Sequence, residues 1–338
     1  MQYSILALLI GAGLPAVLAD GPPQSIPNWS QNGMPLDTGV YGGLNSLAST
    51  GQSTTRWPWG TVPKWCYDQA VNNGYCNPYD IEVYDVKYTD CSVAQTFCRC
   101  NNAQQDIGGA ITAVGRMPVR ARTWNRYYAI WPGNSCSAFS TTIDQAFFGV
   151  CSGSTGVYTH ELSHNLDRFI AGGGNFYSGT DEWKNIISTQ DTCVTDYYAH
   201  SSWTEAYAQV GVMALWNAKI HSIWDYPLSP ACLANQLNKV ISQLNPVFSA
   251  TGVTCNRVWA KDAAVCMGPA ARDSGNCAGI AAAKINSAES SAGNVTVEAL
   301  PVLSAKEKAR LDEKVSAARL AAEQKAGVHG SAARRFKA

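Results

Sequence analysis

Past its first nineteen residues the chain has no long apolar run, and over its 338 residues it has no net charge, 25 Lys and Arg balancing 25 Asp and Glu. The first absence excludes a membrane span in the body of the protein. The second removes the broad field by which a basic protein gathers nucleic acid or an acidic lipid surface. No internal repeat is visible, and histidine is scarce at five copies. Cysteine is missing from both ends, all twelve copies lying between Cys66 and Cys277.

What is present begins with "MQYSILALLIGAGLPAVLA". It lacks the usual Lys or Arg, but the apolar run from Ile5 to Leu14 and the small-residue pattern Val17-x-Ala19 predict a signal peptide over 1–19, cleaved before Asp20. The mature protein is therefore expected to be secreted. An even number of cysteines suits that compartment and predicts a framework of up to six disulfides. The C-x-C of Cys98 and Cys100, with Cys91 upstream, has no second matching pair, so bridges are preferred to a thiolate metal site. Asn28 ("NWS") and Asn294 ("NVT") are N-glycosylation acceptors in an exported chain.

Composition divides the rest. Residues 20–60 are rich in Pro, Gly, Ser and Thr and predict a loop-like lead-in. Residues 61–280, dense in Trp, Tyr and Cys, predict the packed domain. Residues 281–338 predict an Ala-rich charged tail, with a solvated helix from Ser304 to about Lys325. Within the domain, helices are expected over about 102–114, over 157–169 with Thr155 as a plausible cap, and from near Ser202, and strands over 119–131 and 141–151. The expected product is one disulfide-rich α+β domain, monomeric, with a protein or peptide substrate.

Two of the five histidines fall in "VYTHELSHNLDRF". His160, Glu161, Leu162, Ser163 and His164 spell H-E-x-x-H. One helical turn separates the histidines, so both imidazoles can reach one ion. Glu161 lies about 100° round the helix from His160, displaced from a ligand position yet near enough to take a proton from an activated water. This pattern predicts a Zn2+ site. Two histidines need a third ligand, and position 170 is Ile, which removes a third histidine at metzincin spacing. Glu205, in the first turn of the following helix, is the leading candidate; Asp196 and Asp181 compete. Ser202-x-x-Glu205 also reads as a capping box, which would turn the Glu205 carboxylate to backbone amides instead. Tyr198, seven residues before Glu205, is a candidate catalytic hydroxyl or a packing residue. His200, His221 and His329 read as isolated histidines.

"HELSHNLD" followed by "YAHSSWTEAYA" resembles the protease domain of anthrax lethal factor and related gluzincins. That resemblance implies a zincin-like metalloprotease domain built around an active-site helix. It implies His160, His164 and Glu205 as zinc ligands, Glu161 as general base, Tyr198 as partner of the oxyanion, and Asp167 as support for the ligands. The product would be a secreted zinc endopeptidase. Gln209 stands where many such proteases carry a second glutamate. The likeness covers only about 157–210; the full chain, with its signal peptide and cysteine-rich core, also resembles fungal secreted proteins described as conidiation-specific. The competing expectation is a non-catalytic secreted protein of a cell or spore surface that uses a zincin fold as a scaffold.

Overall fold

The structure is a computed structural model that describes residues 21–30, 39–141, 143–151, 154–249, 255 and 258–277. The expected signal peptide, the 304–325 helix, Asn294 and His329 lie outside the described residues. In chain order the elements are α1 (Tyr41–Asn45), β1 (Gln52–Arg56), β2 (Thr61–Pro63), α2 (Lys64–Asn72), β3 (Ile81–Tyr88), β4 (Gln95–Cys100), α3 (Ile107–Gly115), α4 (Val119–Arg122), β5 (Tyr127–Trp131), β6 (Ser137–Thr141), β7 (Asp144–Phe148), α5 (Thr155–Leu166), α6 (Asp181–Asn185), α7 (Trp203–Lys219), α8 (Ala234–Phe248), β8 (Ala264–Cys266) and α9 (Pro269–Asp273). The architecture is mixed α+β.

Six strands form one sheet in the order β1-β3-β4-β5-β7-β6. β4, β5 and β7 run parallel, and β3 and β6 run antiparallel to their neighbours. A parallel β4–β5 pair requires a crossover, which α3 and α4 supply. Alternation along each strand then assigns the faces. Phe97 stacks on Tyr128, and Phe147 stacks on Tyr158 of α5 with ring centres 3.8 Å apart. On the opposite face Cys98 is bonded to Cys66 of α2, and Cys100 to Cys76. The remaining bridges are Cys91–Cys255, Cys136–Cys151, Cys193–Cys232 and Cys266–Cys277, so every cysteine is paired. No helix among the described residues is long and apolar enough to cross a membrane.

Several expectations shift in detail. The strand expected over 119–131 begins only at Tyr127; Val119–Arg122 form a short helix after Pro118. There the buried Arg122 guanidinium donates to the Met117 carbonyl at 2.7 Å, pairs with Asp90 and lies over the Tyr88 ring. Such a buried cation needs those partners, and the helical turn aims it at them. The helix expected over 102–114 runs from Ile107 to Gly115, because the Asp106 side chain caps it by accepting from the Gly109 N–H. Within 20–60, the described residues include α1 and β1.

The helix expected over 157–169 with Thr155 as its cap starts at Thr155 itself, with Ser154 as the cap. Ser154 accepts from the Val157 N–H, while the Thr155 N–H donates to the Asn45 side chain at 2.7 Å. Its other face meets α7 at very short range. A Cβ added at Gly211 would stand 2.3 Å from Ser163 Oγ and 2.7 Å from Ser163 Cβ. Only glycine lets the two backbones approach this far.

A second support lies behind the turn Tyr197–Ser201. The N-terminal segment is laced to the strand-like stretch before it: Trp29 N–H donates to the Val194 carbonyl (2.6 Å), Ser30 N–H to Thr195 (3.2 Å) and Val194 N–H to Pro27 (2.9 Å). His200 is buried, donating Nδ1–H to the Pro22 carbonyl at 3.1 Å and meeting the Asn28 side-chain amide at 3.0 Å. His200 is thus a fastening between distant parts of the chain, and Cys193–Cys232 anchors the same stretch to the start of α8.

Gly211→Ala is expected to lower the unfolding free energy by about 1–3 kcal/mol through overpacking against Ser163. Adding Ser163→Gly removes the obstructing atoms, so the double variant is expected to lose less than the sum of the single losses. Urea denaturation of the four proteins measures this; strict additivity would show that the helices do not meet at this pair.

Candidate metal centre

The α5–α7 contact puts i and i+4 positions of each helix opposite one another. His160 and His164 rise from α5 with ring centres 5.0 Å apart and planes perpendicular. From α7, Glu205 reaches between them: its Oε2 lies 2.8 Å from His160 Nε2 and 3.5 Å from His164 Nε2. One ligand atom from each of the three residues lies within 4.8 Å of the other two, and no other such group of His, Cys, Asp and Glu occurs among the described residues.

Ser202 does cap α7, its hydroxyl accepting from the Glu205 N–H at 3.1 Å. Only half of the capping box forms, because the Glu205 carboxylate turns to the imidazoles. Burial opposes its charge, yet the two histidines outweigh burial and hold Glu205 well below the usual carboxylate range. In return His164 is raised: burial alone would lower it, and the Glu205 carboxylate prevails.

Glu161 is buried beside this trio. Burial pushes its carboxyl up to about 8, His160 opposing and Glu205 adding to the shift. Its Oε2 has no hydrogen-bond partner. An unpartnered buried carboxylate oxygen is costly unless something at the site completes it. Two imidazole nitrogens and one carboxylate oxygen, with space beside them, make the nitrogen and oxygen donor set that suits zinc with a position left open. The residues present fit the ion.

Tyr198 lines the same cleft, its ring 5.7 Å from that of His160. Burial, together with Glu205, Glu161 and Asp196, holds its hydroxyl far above the ordinary tyrosine range, so it stays a neutral donor. The cleft has a volume of about 560 Å³, and its opposite wall is Ala138, Phe139 and Ser140 of β6. Ser140 Oγ donates to the Asn165 side-chain oxygen at 2.7 Å and ties that strand to α5.

Other expected residues are placed differently. Asp181 is exposed in the first turn of α6, away from the trio. Asp196 is buried, but its oxygens accept from the Ala199 N–H (3.1 Å) and from Gln209 Nε2 (2.6 Å). Asp167 accepts from the Ser178 N–H at 2.9 Å and its hydroxyl at 2.5 Å, with no arginine ion pair among the described residues. Gln209, one turn after Glu205, brings its Oε1 to 2.9 Å from His160 Nδ1. Ser178 and the Asp196–Gln209 contact had no signal in the sequence.

Fold and site together define a disulfide-rich α+β protein in which His160, His164 and Glu205 converge between two helices as a group that could hold a metal ion. Residues 32–321 match the family model described as Conidiation-specific protein Con-13. The chain is 50% identical over 279 residues to Conidiation-specific protein 13 of Neurospora crassa, covering 82% of this chain and 81% of that one. It belongs to the Con-13 family. No solved structure matches. These findings correct the gluzincin reading. The family match spans nearly the whole chain, whereas the likeness to the lethal factor protease domain stops at a local motif in two helices. Such a motif records ligand spacing, not descent.

The isolated full-length chain is expected to bind one zinc ion per molecule, measured by competition with a chromophoric chelator. His164→Ala or Glu205→Ala should abolish tight binding, and Glu161→Gln should retain it. Undiminished affinity in Glu205→Ala would remove the ligand assignment.

Proposed function

We propose that this Con-13 family chain is an exported zinc-dependent hydrolase that cleaves an amide bond in an extended peptide. One observation carries the reading: the converging atoms of His160, His164 and Glu205 stand beside the unpartnered, buried carboxylate of Glu161. The six disulfides suit an oxidising compartment and support the exported part.

His160, His164 and Glu205 would hold zinc, which would supply Lewis acidity, lowering the pKa of water and polarising a carbonyl. The chain's own groups do the rest. Glu161 accepts the proton of the attacking water and returns it to the leaving nitrogen, so that both a hydroxyl and a proton end on the products. A cation next to it favours its ionised form and offsets the burial that raises it. The neutral Tyr198 hydroxyl donates to the oxygen of the substrate carbonyl as charge develops there. β6 lies at an edge of the sheet and forms a wall of the cleft, which suits main-chain pairing with an extended substrate.

The comparisons favour a second reading. The Neurospora crassa relative is named for conidiation and for no activity. On this reading the chain is a non-catalytic secreted protein of the cell or spore surface, with the same ligands serving to fasten α5 to α7.

Digestion of a peptide library by the purified full chain separates the two. The hydrolase reading expects cleavage that stops with chelator, returns with zinc, and falls by about 10³-fold or more in Glu161→Gln, the loss of a base plus the electrostatics around it. A zinc-loaded protein that cleaves no peptide would leave the surface-protein reading standing, and equal cleavage by Glu161→Gln would remove Glu161 as the base.

A further inference from the structure

His160 serves as a ligand only if Nε2 keeps its lone pair, which requires the ring proton to sit on Nδ1. The nearest group to Nδ1 is the side-chain amide of Gln209, and an amide is ambiguous: its oxygen accepts, its nitrogen donates, and a half-turn exchanges them. Were the nitrogen presented, Nδ1 would have to be the acceptor, and the proton would move to Nε2, where the ion must bind. Something must fix which end faces the histidine.

We propose that Asp196 is a positioning residue that fixes the tautomer of His160 through Gln209. A carboxylate can only accept, so the 2.6 Å contact between Asp196 Oδ2 and Gln209 assigns the amide nitrogen to the aspartate. That leaves Gln209 Oε1 facing His160 Nδ1 at 2.9 Å, and Nδ1–H is the donor. All three residues are buried, with exposures of 5%, 2% and 6% for Asp196, Gln209 and His160, so water offers little alternative partner. Asp196 is itself immobilised. Its other oxygen accepts from the Ala199 N–H, and the stretch carrying it is tied to Pro27, Trp29 and Ser30 and to Cys232. The relay thus runs from a fixed carboxylate, through an amide with one allowed orientation, to a ring with one allowed tautomer. It lies beyond the ligand set and rests on the reading of His160, His164 and Glu205 as ligands.

An exchange of groups tests it. In Asp196→Asn the new amide can donate as well as accept, so Gln209 is free to invert and the tautomer is no longer set. In Gln209→Glu two carboxylates face each other in a buried site. In the double variant Asp196→Asn/Gln209→Glu, the acceptor-only carboxylate at 209 takes Nδ1–H of His160 and an amide N–H from position 196, restoring the order with the groups exchanged. Zinc affinity, read by chelator competition, is expected to weaken at least tenfold in each single variant and to return to within about threefold of the parent in the double. Nitrogen-15 spectra of the zinc-loaded parent and double variant are expected to show a protonated Nδ1 at His160. Should a single variant fail to fold, the double is judged directly against the parent. An Asp196→Asn protein with parental affinity, or a folded double variant tenfold weaker than the parent, overturns the relay. A parent chain that binds no zinc overturns the ligand reading instead, and Nδ1 protonation in the metal-free parent, lost in Asp196→Asn, then upholds the relay alone.

Discussion

The contact between α5 and α7 at Ser163 and Gly211 is the constraint on which the site depends. Each helix alone offers an incomplete set: two imidazoles on one, a carboxylate and an amide on the other. Helices held at ordinary separation by larger side chains would leave Glu205 short of His160 and His164. The close approach brings the Glu205 carboxylate to 2.8 Å from one ring and the Gln209 amide to 2.9 Å from the same ring. It also creates the cost: Glu161 is enclosed with an unsatisfied oxygen and a carboxyl raised to about 8. A structure that carries such a group in its interior needs surroundings stiff enough to hold it. The sheet beneath α5, the bridges from β4 to the α2 side and the Cys193–Cys232 tie supply that stiffness.

Family and site bear on different questions. Membership of the Con-13 family covers nearly the whole chain and places it beside a Neurospora crassa protein named for conidiation. It assigns no reaction. The helix pair carries the spacing by which zinc is bound in many unrelated hydrolases, and spacing alone follows from helix geometry and ligand chemistry. The lethal factor likeness therefore fails as a statement of kinship, while the convergence of the three side chains stands as a property of this fold.

The parts of the site legible in sequence were those with a local rule. Two histidines four apart in a helical pattern, with a glutamate after the first, place themselves. Ser202 announces the start of the helix that carries Glu205, although the same serine left two fates open for that carboxylate, and only packing chose between them. The even count of cysteines announced bridges, but their pairing depends on which strand faces α2. Alternation in "VRARTWNRYYAIW" suggested one strand, where a buried Arg122 with carbonyl and aspartate partners instead favours a helical turn. Nothing local marks Gly211 as the closest approach of two helices, or couples Asp196 to Gln209 thirteen residues on. His200 looked like a solitary histidine because its partners, Pro22 and Asn28, are about 170–180 residues away.

A crystal of the zinc-soaked full-length protein, measured on either side of the zinc absorption edge, tests the account most directly. It predicts one strong anomalous peak per chain, at coordinating distance from the Nε2 atoms of His160 and His164 and from the Glu205 carboxylate. An absent peak, or one seated away from those three side chains, would contradict it.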